Sequence, residues 1–296
     1  MPNYSIIHKQ DIFITEKYSP DIGKDGLGFL SRSFERHFNE RPYLDHTCYL
    51  FLTKTTRERS RQQSNWNTLC RKFLVPKEIQ DRETLERFME SVGQFESIVN
   101  DSGLVRLERL STEEITGTED GPGVIERYLT LSADGSVMLQ DMQLNPDEMR
   151  IGNKRLCLHT LSDLDDLPGR VRTDGRYERL STDRSDCRLS YASPVGIMLP
   201  CDHIYNQWIF IDDSGENLAR FEKTAKNMQS LSRYSRSNQI NKEWLDEYLN
   251  VAHTNGLQSV RCHCNVIAWA ESGDELRRVK NDVGSALALM ECTPRH

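Results

Sequence analysis

At 296 residues, with 45 acidic against 38 basic side chains, the chain is long enough for one large domain or two modest ones. Its net charge of -7 excludes binding to DNA or an anionic membrane through the surface as a whole, because such binding rests on Lys and Arg neutralising phosphates. Hydrophobic residues at 37% and charged residues at 28% describe an ordinary globular protein with a heavily charged exterior.

Along the chain, Tyr4–Ile7 and Asp11–Thr15 are short β-type runs, followed by a turn-rich stretch from Ser19 to Gly28. Leu27, Leu30, Phe34 and Phe38 recur at helical spacing, and Pro42 stops that helix. His46–Lys54 has an almost continuous apolar centre, the pattern of a strand buried on both faces. Arg57–Lys72 is basic and polar and reads as a loop or a solvated helix. Asp81–Asn100 is a helix that Asp81 can cap, with Leu85, Phe88, Val92, Phe95 and Val99 on one stripe.

Leu104–Leu110 is expected as a strand, Thr116–Gly123 as a turn and Val124–Leu131 as a short helix. Val137–Leu144 and Lys154–Leu161 read as strands, with Pro146 between them. From Ser162 to Arg188 acids and arginines alternate, which predicts a long salt-bridged surface excursion and not a nucleic-acid arm.

Val195–Leu199 and Ile204–Asp212 are predicted strands. Asp213 and Glu216 resemble a capping box opening a helix with Leu218, Phe221, Ala225 and Met228 on one face. Trp244, Leu245, Tyr248, Leu249 and Ala252 mark a second helix, closed by Asn255-Gly256. Ser259–Trp269 alternates strictly, with Val260, Cys262, Cys264, Val266 and Ala268 on one face. Glu275–Met290 is a final helix with Leu276, Val279, Val283, Leu287 and Met290 inward. The fold class is therefore α+β: a mixed sheet with helices packed on it, ending in a β-α-α-β-α unit. An internal division, if present, falls near Ser132–Ser136, separating 1–135 from 136–296.

No run approaches the roughly 20 apolar residues that span a bilayer. MPNYSIIHKQD has neither the charged nor the apolar region of a signal peptide. The eight cysteines, Cys48, Cys70, Cys157, Cys187, Cys201, Cys262, Cys264 and Cys292, read as free thiols in a reducing compartment. The expected location is cytoplasmic.

No complete catalytic motif is present. Gly23-Lys24-Asp25-Gly26-Leu27-Gly28 has the wrong order for a phosphate loop, where Lys and Ser/Thr must follow the final Gly. Cys262-His263-Cys264 lies on an alternating strand, so its cysteines face one side and its histidine the other. They cannot converge on one metal ion, and the cysteines read as core.

The informative segment is Met228–Trp244, a basic, aromatic-bearing break between two amphipathic helices. Lys223, Lys226, Arg233, Arg236 and Lys242 gather around Tyr234, and Lys223 and Lys226 share a helical face. Such a break is a helix-to-helix joint, a protein-partner surface or a nucleic-acid contact in which the cations hold a backbone and the aromatic ring stacks a base.

Four segments carry a family resemblance: SFERHFNERPYLDHTCYLFLTKTTRERSR (Ser33–Arg61), IGNKRLCLHTLSDLDDLPGRV (Ile151–Val171), RYERLSTDRSDCRLSYASPVG (Arg176–Gly196) and SLSRYSRSNQINKEWLDEYL (Ser230–Leu249). In them the chain resembles the TraG conjugation ATPases of conjugative transposons, relatives of the TraC-like, VirB-type ATPase of type IV secretion systems. The resemblance runs from Tyr4 to His296. It implies a hexameric ATPase on the cytoplasmic face of the inner membrane that supports conjugative DNA transfer. In that family, ATP and Mg are bound by a C-terminal RecA-like motor with Walker motifs, for which these residues have no matching positions. Residues 1–296 are then expected to be the non-catalytic N-terminal region, with no cofactor of its own. Its implied partners are its own C-terminal ATPase domain, further copies of itself and inner-membrane components of the channel, with DNA contact as the alternative.

Overall fold

The computed structural model describes residues 4–17, 28–39, 42–55, 81–119, 121–132, 140–145, 148–161, 163, 166–169, 171, 175–176, 181–182, 190–196, 198–231 and 234–294. The readings of Ser19–Leu27, Arg57–Lys72, Val137–Leu139 and most of Ser162–Arg188, and all but Gly28 of the glycine-rich Gly23–Gly28, lie outside the described residues.

The α+β class is realised as one antiparallel sheet of seven strands with eight helices among the described residues. The strands are β1 (Ser5–Lys17), β2 (Pro42–Lys54), β3 (Met142–Leu144), β4 (Met149–Ile151), β5 (Lys154–Leu161), β6 (His203–Ile211) and β7 (Val260–Ala270), in the order β2-β1-β6-β7-β5-β4-β3. The helices are α1 (Phe29–Asn39), α2 (Arg82–Asp101), α3 (Thr112–Thr116), α4 (Val124–Thr130), α5 (Ser193–Gly196), α6 (Ser214–Leu231), α7 (Arg236–Asn255) and α8 (Gly273–Leu289). The expected β-α-α-β-α ending is present as β6-α6-α7-β7-α8.

The chain divides into two compact units, one of Met1–His8, Phe51–Leu107 and Trp208–Cys262, the other of Lys9–Leu50, Glu108–Gln207 and His263–His296. The second holds the main core. On one sheet face, Cys157 and Leu161 of β5, Tyr205 of β6 and Val266, Ala268 and Ala270 of β7 pack with Leu276, Val279, Val283 and Leu287 of α8. Each buried Leu or Val there contributes about 1.5–3 kcal/mol. The opposite face gathers Ile12, Ile204 and Trp269 under Leu131, which follows α4. β5 pairs with β7 from Arg155↔Ala270 to Leu161↔Cys264, the register that keeps these two sets apart. On the face of Ile12 and Ile204, Gln10 Nε2 donates to Asn206 Oδ1 and Asn206 Nδ2 to Asn265 Oδ1, both at 3.1 Å. This ladder satisfies two fully covered amides.

In the first unit, His8 stacks between Phe51 and Trp208, with ring centroids 5.2 and 4.4 Å away. α6 and α7 pack as an antiparallel helical hairpin.

Several expectations are corrected. The two short N-terminal runs are one 13-residue strand. β2 ends the sheet order and none of its described side chains is buried, so its apolar centre is that of an edge strand and not of a doubly covered one. α1 forms as expected, but Leu30 and Phe34 on its apolar stripe are exposed. Leu104–Leu110 is irregular: its described neighbours offer no strand, and Leu107 N donates instead to Asn100 Oδ1 at 2.7 Å. Val195 lies in the helical turn α5, whose Val195 and Gly196 amides return to the Ala192 carbonyl, and Leu199 lies in the loop beyond. Asp81 occupies the N-cap of α2 but accepts from the Thr84 hydroxyl and caps no backbone amide. β4 and α3 were not foreseen; α3 carries a full capping box between Ser111 and Glu114. Cys262 is exposed, so only Cys264 of the Cys-His-Cys pair packs against the core.

Candidate interaction surface

The hairpin is specified by its ends and by one inner seam. Asp213 Oδ1 accepts from Glu216 N at 3.0 Å and opens α6, the backbone contact that a capping box at these two residues calls for. Gly256 closes α7 in the left-handed conformation at φ 62°, its N–H returning to the Ala252 carbonyl. Between the helices, Phe221 meets Tyr248 edge-to-face at 5.5 Å and His253 Nε2 meets Glu222 at 3.2 Å. Ala225, Leu249 and Ala252 are the buried positions of this seam.

The turn is much shorter than the expected Met228–Trp244 break. α6 runs to Leu231 and α7 begins at Arg236, so most of the supposed break is helix. Tyr234 N and Asn238 Nδ2 both donate to the Leu231 carbonyl, at 3.0 and 3.3 Å, and finish the C-terminus of α6. The polar opening of α7 is supported by side-chain pairs one turn apart, Gln239 with Glu243 and Lys242 with Asp246.

Of the six residues singled out, Lys223 and Lys226 are exposed on α6, and Arg236 is exposed at the first position of α7. Tyr234 is 85% exposed at the turn. Lys242 is half-buried and tied to Asp246 at 3.3 Å, which takes it out of the free basic set. Arg233 lies outside the described residues. The structure adds apolar members that the sequence reading did not assign to this surface. Leu231 is exposed beside the turn, and Ile240, Trp244 (66% exposed) and Val251 follow one stripe of α7 at spacings of four and seven. That stripe becomes readable only once the helix is started at Arg236.

From Lys223 to Lys242 the chain carries five cations and no carboxylate; from Ser214 to Asn255 it carries six Lys and Arg against five Asp and Glu. The tip is therefore basic and aromatic, and the body of the hairpin is nearly neutral. The arrangement exposes cationic, aromatic and apolar side chains on one helical hairpin.

A second polar cluster lies where β1 faces β2. The buried Asp11 accepts from Lys9 Nζ, from His46 Nε2 at 3.0 Å and from the Cys48 thiol. Burial alone would push the Asp11 carboxyl up, but these three hydrogen bonds and the Lys9 charge outweigh it and hold the group below its ordinary value. Partial desolvation against β1 and the Asp11 charge push the surface-accessible Cys48 thiol up to about 11. Such a thiol is protonated at neutral pH, and it is hydrogen-bonded to the carboxylate instead of to the imidazole. The cluster therefore lacks the activated Cys-His geometry of a nucleophile. Sequence reading missed it, because Lys9/Asp11 and His46/Cys48 meet only through the strand register.

His263 points to the face opposite Cys264, with Nε2 accepting from Asn265 Nδ2 at 3.4 Å, as alternation predicts. Among the described residues, no three His, Cys, Asp or Glu side chains are gathered to hold a metal ion, and no helix is long and apolar enough to cross a membrane. No protein-family model matches the chain, and no curated protein matches it.

Proposed function

We propose that this chain is the assembly and interaction region of a TraG-type conjugation ATPase, working through subunit and inner-membrane-channel contacts to support conjugative DNA transfer. ATP hydrolysis is assigned to the family's C-terminal motor, and no nucleotide or metal to residues 1–296. The observation that carries the reading is the hairpin tip. Tyr234 and Leu231 stand exposed at the turn with Arg236, and Trp244 is exposed further along α7; aromatic residues and Arg are the types enriched in protein contacts. The sequence resemblance from Tyr4 to His296 supplies the biological setting.

The test replaces both aromatic residues, Tyr234→Ser with Trp244→Ser, in a donor strain that depends on this gene for mating. Transfer frequency is expected to fall at least about tenfold at unchanged protein level, the loss of one or two interface anchors. Unchanged transfer overturns the reading. Nucleic-acid binding is measured in parallel by fluorescence anisotropy with a labelled single-stranded oligonucleotide. An affinity that falls steeply with salt and is lost in Lys226→Ala with Arg236→Ala favours the nucleic-acid module instead.

A further inference from the structure

The first unit exposes a second amphipathic element whose character is the converse of the hairpin tip. None of the twenty residues of α2 is buried, and Leu85 (47% exposed) and Met89 (46%) stand one turn apart on its surface. From Asp81 to Asp101 there are six carboxylates against two arginines. Both arginines are engaged within the helix, Arg82 with Glu86 and Arg87 with Glu83, each at 2.8 Å. Glu86 and Glu90 follow Leu85 and Met89 directly in sequence, so a pair of carboxylates one turn apart borders a pair of apolar side chains one turn apart.

We propose that the α6–α7 tip of one copy docks on the Leu85/Met89 face of α2 in a second copy. Leu231, Tyr234 and Ile240 meet the apolar pair, while Lys226 and Arg236 face Glu86 and Glu90. The inference rests on the reading of the tip as a partner surface and names the partner. Two properties select a second copy of this chain. Charge and apolar character are complementary between the two patches, and both patches are exposed in the single chain, so neither satisfies the other internally. Because the two patches differ, the contact is head-to-tail and propagates into a closed ring or an open filament.

Charge exchange tests the contact. Sedimentation velocity is run on the purified chain, on Glu86→Lys/Glu90→Lys, on Lys226→Glu/Arg236→Glu and on an equimolar mixture of the two variants. The wild type is expected to associate with rising concentration and to do so less at high salt. Each variant, now repelling itself, loses association at least about tenfold. The mixture regains it, because each variant's unchanged patch complements one on the other. All four substitutions are on exposed side chains, and far-UV circular dichroism verifies that both variants stay folded. Met89→Ser, which alters no charge, weakens association independently. A monomeric wild type, variants that associate as well as wild type, or a mixture that stays dissociated overturns the inference. If it is overturned while the Tyr234/Trp244 variant still lowers transfer, the tip is a surface for a different protein. If that variant transfers normally as well, the partner-surface reading falls with it.

Discussion

Replacing Asp11 with Asn tests the chemistry of the polar cluster between β1 and β2. The carboxylate accepts three hydrogen bonds, and its side chain is only 6% exposed, so in the folded state it has almost no water to fall back on. Hydrogen bonds to a charged group contribute about 1.5–3 kcal/mol, and breaking a fully buried ion pair costs about 3–5 kcal/mol. Here the partners are roughly half solvated, Lys9 at 42% and His46 at 47% side-chain exposure, so water recovers part of the loss. Asn also keeps one acceptor in place. The expected destabilisation at pH 7 is about 2 kcal/mol, set by the charge-assisted bonds and not by a full burial penalty. The sign with pH follows from the lowered carboxyl. A group whose folded value lies below its unfolded one stabilises above the unfolded value, near about 3.9, and loses that contribution as pH falls through the folded value. Urea unfolding followed by circular dichroism should give a clear difference between wild type and Asp11→Asn at pH 7, shrinking towards zero as acid protonates the carboxylate. Equal stability at pH 7, or a difference that persists undiminished in acid, refutes the assignment of Asp11 as an ionised acceptor.

Three further substitutions probe the second unit. Leu287→Ala removes a fully buried side chain where α8 meets the sheet and should cost about 2–5 kcal/mol in urea unfolding. The neighbouring Leu289→Ala, at an exposed position, should stay within about 0.5 kcal/mol, and equal effects at the two sites would show that α8 is turned differently. Gly117→Ala should cost about 1–3 kcal/mol, since φ 89° with ψ 164° is a region open essentially to glycine. Its added Cβ would also lie 2.1 Å from Glu126 Oε2, the atom that accepts from Gly123 N at the start of α4. Faster amide hydrogen exchange in α4 is the expected readout, and unaltered exchange there would count against a conformational role for Gly117.

Sequence reading succeeded where one local period coincides with one burial surface. β7 alternates because its two faces meet two different clusters, with Val266 and Ala268 in one and Trp269 in the other, and α8 keeps its apolar spacing against a single sheet face. β5 runs from Lys154 to Leu161, the bounds that its sequence predicts. Sequence reading failed where the deciding partner is remote. The apolar centre of β2 has the pattern of a doubly buried strand, but a run of residues does not reveal that its strand ends the sheet. Leu104–Leu110 has strand-like composition and no strand beside it among the described residues. The first two turns of α7 are almost entirely polar, RSNQINKE, so periodicity located the helix only from Trp244 onward. The extra helix, stabilised by pairs such as Lys242 with Asp246, also moved Lys242 from the free basic set into a salt bridge. For the candidate surface, cations and Tyr234 were legible from composition, whereas Ile240, Trp244 and Val251 required the true helix start.

That earlier start bears on what the hairpin tip is suited to hold. A nucleic-acid strand held along α7 would pass from Arg236 at the tip to Glu243, Asp246 and Glu247 within about three turns, so its phosphates would meet carboxylates close to Trp244. The two exposed aromatic side chains consequently sit in opposite electrostatic surroundings, Tyr234 among cations and Trp244 among acids. A uniformly charged backbone complements only one of them. A folded protein surface can place carboxylates against the tip and cations against the helix body within one contact, and the proposed protein contact meets this mixed demand where a nucleic-acid strand does not.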